Sequence, residues 1–216
     1  MSDDPLLLGG SLSPIGIDVG FVEAPLNQII PELKAWRDTA GQEYKPNPFA
    51  YTFEHLDTTT SETFRKLEPL KTPWNKELLV ALRNGWTMYL NNDRGGGDAF
   101  PFSYIAKRLD CHYIIAIHQP RDSEGNASTQ FQLFGPEGEP PLQYVRTVAA
   151  HCEDGRWSWY ESGAVQDFEQ PDAYRQRKIV DRLTRPMVID YLAHFGLHPD
   201  ALSSFGEAVV VTYANL

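Results

Sequence analysis

The side chains most able to act as base, nucleophile or metal ligand near neutral pH are six histidines and two cysteines. Cys111 precedes His112, and Cys152 follows His151. Adjacent residues in a strand point to opposite faces, so neither thiol meets its neighbouring imidazole as nucleophile and base, and Cys152 reads as a small core residue. His194 and His198 have the i, i+4 spacing of two helical metal ligands, but Gly196 between them and Pro199 after them end the helix that would align them. The motifs G-x-S-x-G, H-E-x-x-H and C-x-x-C do not occur. These types and spacings predict no catalytic residue, no metal and no cofactor.

A second candidate is the run Asn91-Asn92-Asp93-Arg94-Gly95-Gly96-Gly97-Asp98, where glycines would let backbone amides approach an anion at a helix N-terminus. It lacks the lysine of a phosphate loop, and Asp93 and Asp98 would repel a phosphate. A tight strand-to-helix connection is the expectation. The alternative is an enzyme or small-ligand pocket built from Asn92, Asp93, Arg94, Gly96 and Asp98, with Arg146 or Arg94 clamping an anion.

The third candidate is a charge pattern. From His151 to Asp172 there are six acids, Glu153, Asp154, Glu161, Asp167, Glu169 and Asp172, against Arg156 alone. The next fourteen residues carry five bases, Arg175, Arg177, Lys178, Arg182 and Arg185, against Asp181. The two segments either pair within the fold or leave Glu153, Asp154, Glu161, Asp167 and Glu169 as a docking surface for a partner.

The elements that must position these groups belong to a chain of 216 residues, 42% hydrophobic, long enough for one full core. Lys and Arg total 19 against 29 Asp and Glu, a net charge of -10, which argues against a nucleic-acid partner. No apolar run is long enough to cross a membrane, the start lacks the basic end of a secretion signal, and the two cysteines suit a reducing cytoplasm. Residues 1–12 and Gly41 to Pro48 have the composition of loose chain.

Strand-like alternation at Ile15, Ile17, Val19 and Phe21 is followed by helical spacing at Ile29, Ile30, Leu33 and Trp36, with Asn27 as cap, Pro31 tolerable near the first turn and Gly41 as stop. Phe49, Tyr51 and Phe53 alternate, and a short helix holds Phe64 and Leu67. Further on, Phe102, Ile105, Ala106 and Leu109 form a helical stripe, Tyr113 to Ile117 and Phe131 to Phe134 are buried strands, Pro186 opens a helix that Gly196 ends, and Ala208 to Tyr213 is an internal strand.

Two hairpins are legible. In ELLVALRNGWTMYL a two-residue turn at Asn84-Gly85 would set Arg83 opposite Trp86, Ala81 opposite Met88 and Leu79 opposite Leu90, with Leu82, Val80 and Tyr89 on the other side and both faces covered. In LQYVRTVAAHCEDGRWSWYE a turn at Asp154-Gly155 sets Glu153 opposite Arg156, Cys152 opposite Trp157, Ala150 opposite Trp159 and Ala149 opposite Tyr160. The expected architecture is a single α+β domain, with a largely antiparallel or mixed sheet of about seven or eight strands and four or five helices.

GFVEAP with AWRDTA, RKLEPL, ELLVALRNGWTMYLNN followed by GGGD, LQYVRTV and YRQRKIVDRLTRPMVIDYLAHFGL together resemble an uncharacterised bacterial protein family similar to the immunity partners of polymorphic toxins. The resemblance spans most of the chain and carries over no catalytic residue. It implies a non-enzymatic cytoplasmic protein that occludes a toxin with a basic surface. An acidic inhibitor suits that role, because opposite charge speeds encounter.

Overall fold

The computed structural model describes residues 5–44, 50–93, 100–201 and 205–214. Nine strands are described: β1 (Asp18–Val22), β2 (Tyr51–Leu56), β3 (Lys76–Leu82), β4 (Thr87–Asn91), β5 (Tyr113–Gln119), β6 (Ala127–Glu139), β7 (Tyr144–Glu153), β8 (Arg156–Gly163) and β9 (Phe205–Tyr213). They form one sheet in the order β2-β9-β3-β4-β1-β5-β6-β7-β8, antiparallel at every pairing. Four α-helices are described with it: α1 (Leu26–Tyr44), α2 (Ser61–Arg65), α3 (Phe100–Leu109) and α4 (Arg185–His194). The α+β class stands, with more strands than periodicity had suggested.

Period-2 alternation sends the apolar residues of the central strands to two separate cores. On one face Leu79, Tyr89, Ile115, Val209 and Val211 meet Ile29 and Leu33 of α1 and Phe102 and Ile105 of α3. On the other, Val80, Met88, Ile114, Phe131 and Val148 meet Phe64 of α2 and Val188, Tyr191 and Leu192 of α4. Because β3 and β4 are apolar on both sides, they lie inside the sheet under both layers, as their sequence predicted. β9 is likewise internal, between β2 and β3.

Several local expectations are corrected. Leu6, Leu7, Leu8 and Leu12 are buried, so residues 5–12 are part of the core rather than loose chain; the apolar triplet wins over its glycine-rich surroundings. α1 begins at Leu26, which puts Asn27 inside the helix, and the amides of Gln28 and Ile29 bond the Pro25 carbonyl instead of a side-chain cap. The helix also passes through Pro31 and Gly41 and runs to Tyr44. Its buried Ile29 and Leu33 supply the packing that offsets one missing helical hydrogen bond. Phe49 lies outside the described residues.

The two hairpins diverge. Around Asp154-Gly155, φ is 49° and 76°, both positive, and every expected pair from Glu153↔Arg156 to Ala149↔Tyr160 is present. In the first hairpin only Gly85 is at positive φ, 87°. Leu82 and Trp86 close a three-residue loop, Arg83-Asn84-Gly85, through Leu82 N–H to the Trp86 carbonyl at 2.8 Å and Gly85 N–H to the Leu82 carbonyl at 3.0 Å. The register therefore slips by one, to Ala81↔Thr87, Val80↔Met88, Leu79↔Tyr89 and Leu78↔Leu90. A one-residue slip exchanges faces, so Leu79 and Tyr89 share a side. Asn84 donates its amide to the carbonyls of Phe195 (3.4 Å) and Gly196 (3.0 Å), so the end of α4 holds the asparagine that a two-residue turn would have left free.

Candidate functional site

Three arrangements stand out once the sheet is assembled: two buried polar networks and one open groove. The first network lies under α1. Glu77, fully buried at the start of β3, accepts from Arg37 Nη2 at 2.5 Å, from the Tyr89 hydroxyl at 3.1 Å and from the Tyr213 hydroxyl. Arg37 lies 4.6, 5.0 and 5.2 Å from the ring centres of Trp36, Trp74 and Tyr213, and its buried Nε has no hydrogen-bond partner. Burial, then the charge of Glu77, holds the Tyr89 and Tyr213 hydroxyls protonated well above the usual tyrosine value. A hydroxyl that stays protonated donates to the carboxylate permanently, which suits a structural clasp better than proton transfer. Its sequence signal was one acid, Glu77, heading the otherwise apolar run LLVAL.

The second network lies on the opposite face, beneath the segment between β8 and α4. Arg146 Nε bonds Glu169 Oε1 at 2.8 Å, and Nη2 reaches Glu169 Oε2 at 2.9 Å and Glu161 Oε2 at 3.0 Å. Its Nη1 bonds the carbonyls of Ser162 (3.3 Å) and Gly163 (3.0 Å). Glu169 also accepts from Gln166 N–H at 2.8 Å and the Tyr174 hydroxyl at 2.7 Å, and Tyr174 meets the Tyr191 hydroxyl at 2.8 Å. All five guanidinium N–H groups are thereby engaged.

This geometry revises both sets of expected binding residues. Glu169 is buried in an ion pair and cannot belong to a solvated docking surface. Glu161 is exposed, though one of its oxygens is bonded to Arg146, and Glu153, Asp154 and Asp167 are exposed. Among the described residues, the contact between the basic and the acidic segment is local, Arg175 with Asp172 at 3.8 Å. Arg146 has no N–H left for an anion and lies four strands from the end of β4, roughly 19 Å at 4.8 Å per strand. Asn92 is buried and spends its side chain on the loop before β3, accepting from Asn75 N–H and Lys76 N–H at 2.8 Å each and donating to the Pro69 carbonyl at 3.0 Å. Asp93 accepts from the Thr72 hydroxyl at 3.0 Å. Arg94, Gly96 and Asp98 lie outside the described residues.

The groove was not anticipated. α1 and α3 cover their face of the sheet only as far as β6, and beyond that the strands β6, β7 and β8 carry an open depression of about 950 Å³. Gln130 and Gln132 of β6, Thr147, Ala149 and His151 of β7, and Tyr160 and Ser162 of β8 form its floor, with Glu137, Glu139 and Tyr144 at one end. The alternation Ser128, Gln130, Gln132 against Thr129, Phe131, Leu133 was the available sign that one side of this strand is wet. Glu137 is held by His112, whose Nδ1 and Nε2 lie 2.6 Å from Glu23 and 3.1 Å from Glu137. Burial works to lower the His112 pKa, and the hydrogen bonds from Glu23 and Glu137 outweigh it, so the net shift is upward.

The nucleophile candidates resolve simply. Both cysteines are free thiols; burial, then the charges of Glu23 and Asp110, push Cys111 up to about 12. His151 stands across from Ser158, with both ring nitrogens near the hydroxyl at 3.0 and 3.1 Å. A general base aims one nitrogen at its nucleophile and has the other oriented by a third group, which this edge-on contact does not provide. Among the described residues there is no cluster of three or more potential metal ligands, and no helix is long and apolar enough to cross a membrane. Comparison with family models, curated proteins and solved structures found no match to the chain.

Proposed function

We propose that this chain is a non-enzymatic cytoplasmic binding protein, an immunity protein that neutralises a bacterial toxin by occluding its basic surface. The observation that carries this reading is the exposure of Glu153, Asp154 and Asp167 around the outermost hairpin of a chain whose net charge is -10. Exposed charges of one sign at a sheet edge favour rapid encounter with a partner of the opposite sign. Arg156, exposed and opposite Glu153 in the turn, offsets one of these three charges, and Arg146 is taken up by Glu169 and Glu161, so the surface stays net negative.

The test combines capture with protection. Wild type is immobilised beside a variant carrying Glu153→Lys, Asp167→Lys and Asp154→Asn, the last chosen because asparagine tolerates positive φ. The expected outcome is that wild type retains a basic protein from producing cells, that the variant associates at least tenfold more slowly, and that raising salt narrows the gap. Co-expression with wild type should relieve the growth defect which the captured protein causes alone. Equal association by both proteins, or capture without protection, refutes the reading.

A further inference from the structure

The groove over β6, β7 and β8 has a chemistry distinct from the acidic turn, and the chemistry selects a ligand class. No lysine lines it, and its one arginine, Arg146, has every N–H committed within the protein. Glu137 and Glu139 stand at one end. Among the described lining residues an anion therefore meets no lysine and no uncommitted arginine, and the one imidazole, His151, already faces the Ser158 hydroxyl. Apolar small molecules favour pockets lined by hydrophobic side chains, whereas this floor sets amides, hydroxyls and an imidazole among its aromatic and small apolar residues. What remains is a neutral ligand rich in hydroxyls, with C–H faces that can lie on aromatic rings.

The lining is organised for such a ligand. Gln132 Nε2 donates to Gln130 Oε1 at 3.4 Å and Gln130 Nε2 donates to Ser128 Oγ at 2.8 Å, so the amides form a row with fixed direction. Each amide keeps a second N–H, and Gln132 keeps its carbonyl oxygen, to donate to and accept from sugar hydroxyls. Tyr160 is 55% exposed and Tyr144 43%, large values for aromatic side chains on a sheet face. Tyr160 pairs with Ala149, five residues along β7 from Tyr144, a separation of roughly 17 Å at 3.4 Å per residue. That span accommodates several linked pyranose rings between two aromatic platforms.

We propose that this groove binds a neutral oligosaccharide, with hydroxyls bonded by Gln130, Gln132 and Ser162 and a ring face laid on Tyr160. The proposal rests on different residues from the toxin reading, whose docking residues Glu153, Asp154 and Asp167 lie on the hairpin turn and after β8, although Ala164 and Gln166 bring that segment to the groove edge.

The experiment titrates the purified full chain by calorimetry with neutral tri- to pentasaccharides of glucose, mannose, galactose and N-acetylglucosamine, and with an oligogalacturonate as the anionic counterpart. Tyr160→Ala and Gln132→Ala are compared, each checked for an unchanged thermal midpoint. Binding of at least one neutral series is expected, weakened about tenfold or more by Tyr160→Ala and less by Gln132→Ala, insensitive to salt and absent for the galacturonate. No neutral binding up to about 10 mM overturns the proposal, as does neutral binding that ignores both substitutions or preference for the anion. If Tyr160→Ala instead abolishes capture of a basic protein while no sugar binds, the groove belongs to the protein partner and the carbohydrate assignment is wrong.

Discussion

The hairpins β3–β4 and β7–β8 have similar sequence plans, an Asx-Gly turn between strands rich in large side chains, and opposite fates. β3–β4 is central and covered on both faces; β7–β8 ends the sheet and leaves one face open. Each carries one buried arginine–glutamate network with two tyrosines, built in reverse. In the central hairpin the strand supplies the carboxylate, Glu77, and helix α1 brings the arginine, Arg37. In the outer hairpin the strand supplies Arg146 and the following loop brings Glu169. The central pair is surrounded by aromatic rings, while the outer pair also binds backbone groups of Ser162, Gly163 and Gln166. A buried ion pair can thus brace helix to sheet or pin a loop, and the difference lies in what else its atoms hold.

The largest effects should come from breaking these pairs. Glu77→Ala and Glu169→Ala should each cost about 3–5 kcal/mol in urea denaturation, since each strands a buried guanidinium. Apolar replacements separate the two sites. Arg37→Met with Glu77→Leu, combined with Tyr89→Phe and Tyr213→Phe so that no buried hydroxyl loses its acceptor, should recover much of the loss, because the aromatic neighbours accept apolar side chains. Arg146→Met with Glu169→Leu should recover less, because the part-buried Ser162 and Gly163 carbonyls and the Gln166 N–H lose their partners at about 0.5–1.5 kcal/mol each. Equal recovery at both sites would erase the distinction between brace and pin.

Smaller effects should distinguish the turns. Gly85→Val and Gly155→Val should each cost about 1–3 kcal/mol, as both glycines sit at positive φ. Asn84→Ala should cost about 0.5–1.5 kcal/mol through its lost bonds to the end of α4, whereas Asp154→Asn should be nearly neutral. A neutral Asn84→Ala would show that α4 does not anchor the first turn.

The smallest effect is a pH dependence confined to the groove end. His112 has its pKa raised in the folded state, so its contribution is complete below the unfolded value of 6.5 and is lost as pH rises through the folded value. The amount is on the order of 0.5 kcal/mol, given the part-exposed partners. Thermal midpoints across this range should fall slightly more for wild type than for His112→Gln. Parallel curves would remove His112 as the support of Glu137.

The reading of the outer hairpin succeeded because Asp154 and Gly155 both accept positive φ, and a two-residue turn dictates register by local rules alone. For the inner one the same logic failed by one residue, since Asn-Gly is compatible with two loop lengths and the choice rested on Phe195 and Gly196, more than a hundred positions away. The six acids of residues 153–172 were visible as a group, but their division into exposed Glu153, Asp154 and Asp167 and buried Glu169 was not. That division depends on Arg146, which reaches Glu169 across 23 positions. The groove exists because two helices stop at β6, and helix coverage is a property of packing rather than of any strand.

By itself the sequence determined the α+β class, the two-sided burial of β3 and β4, the internal place of β9 and the acidic surplus. Each follows from side-chain periodicity or composition, which act over a few residues or over the whole chain at once. Tertiary structure alone decided the register of the first hairpin, the pairing of Glu77 with Arg37 and of Glu169 with Arg146, and the open face of β6 to β8. Those are choices between locally equivalent states, and the contacts that separate them form only when distant segments pack.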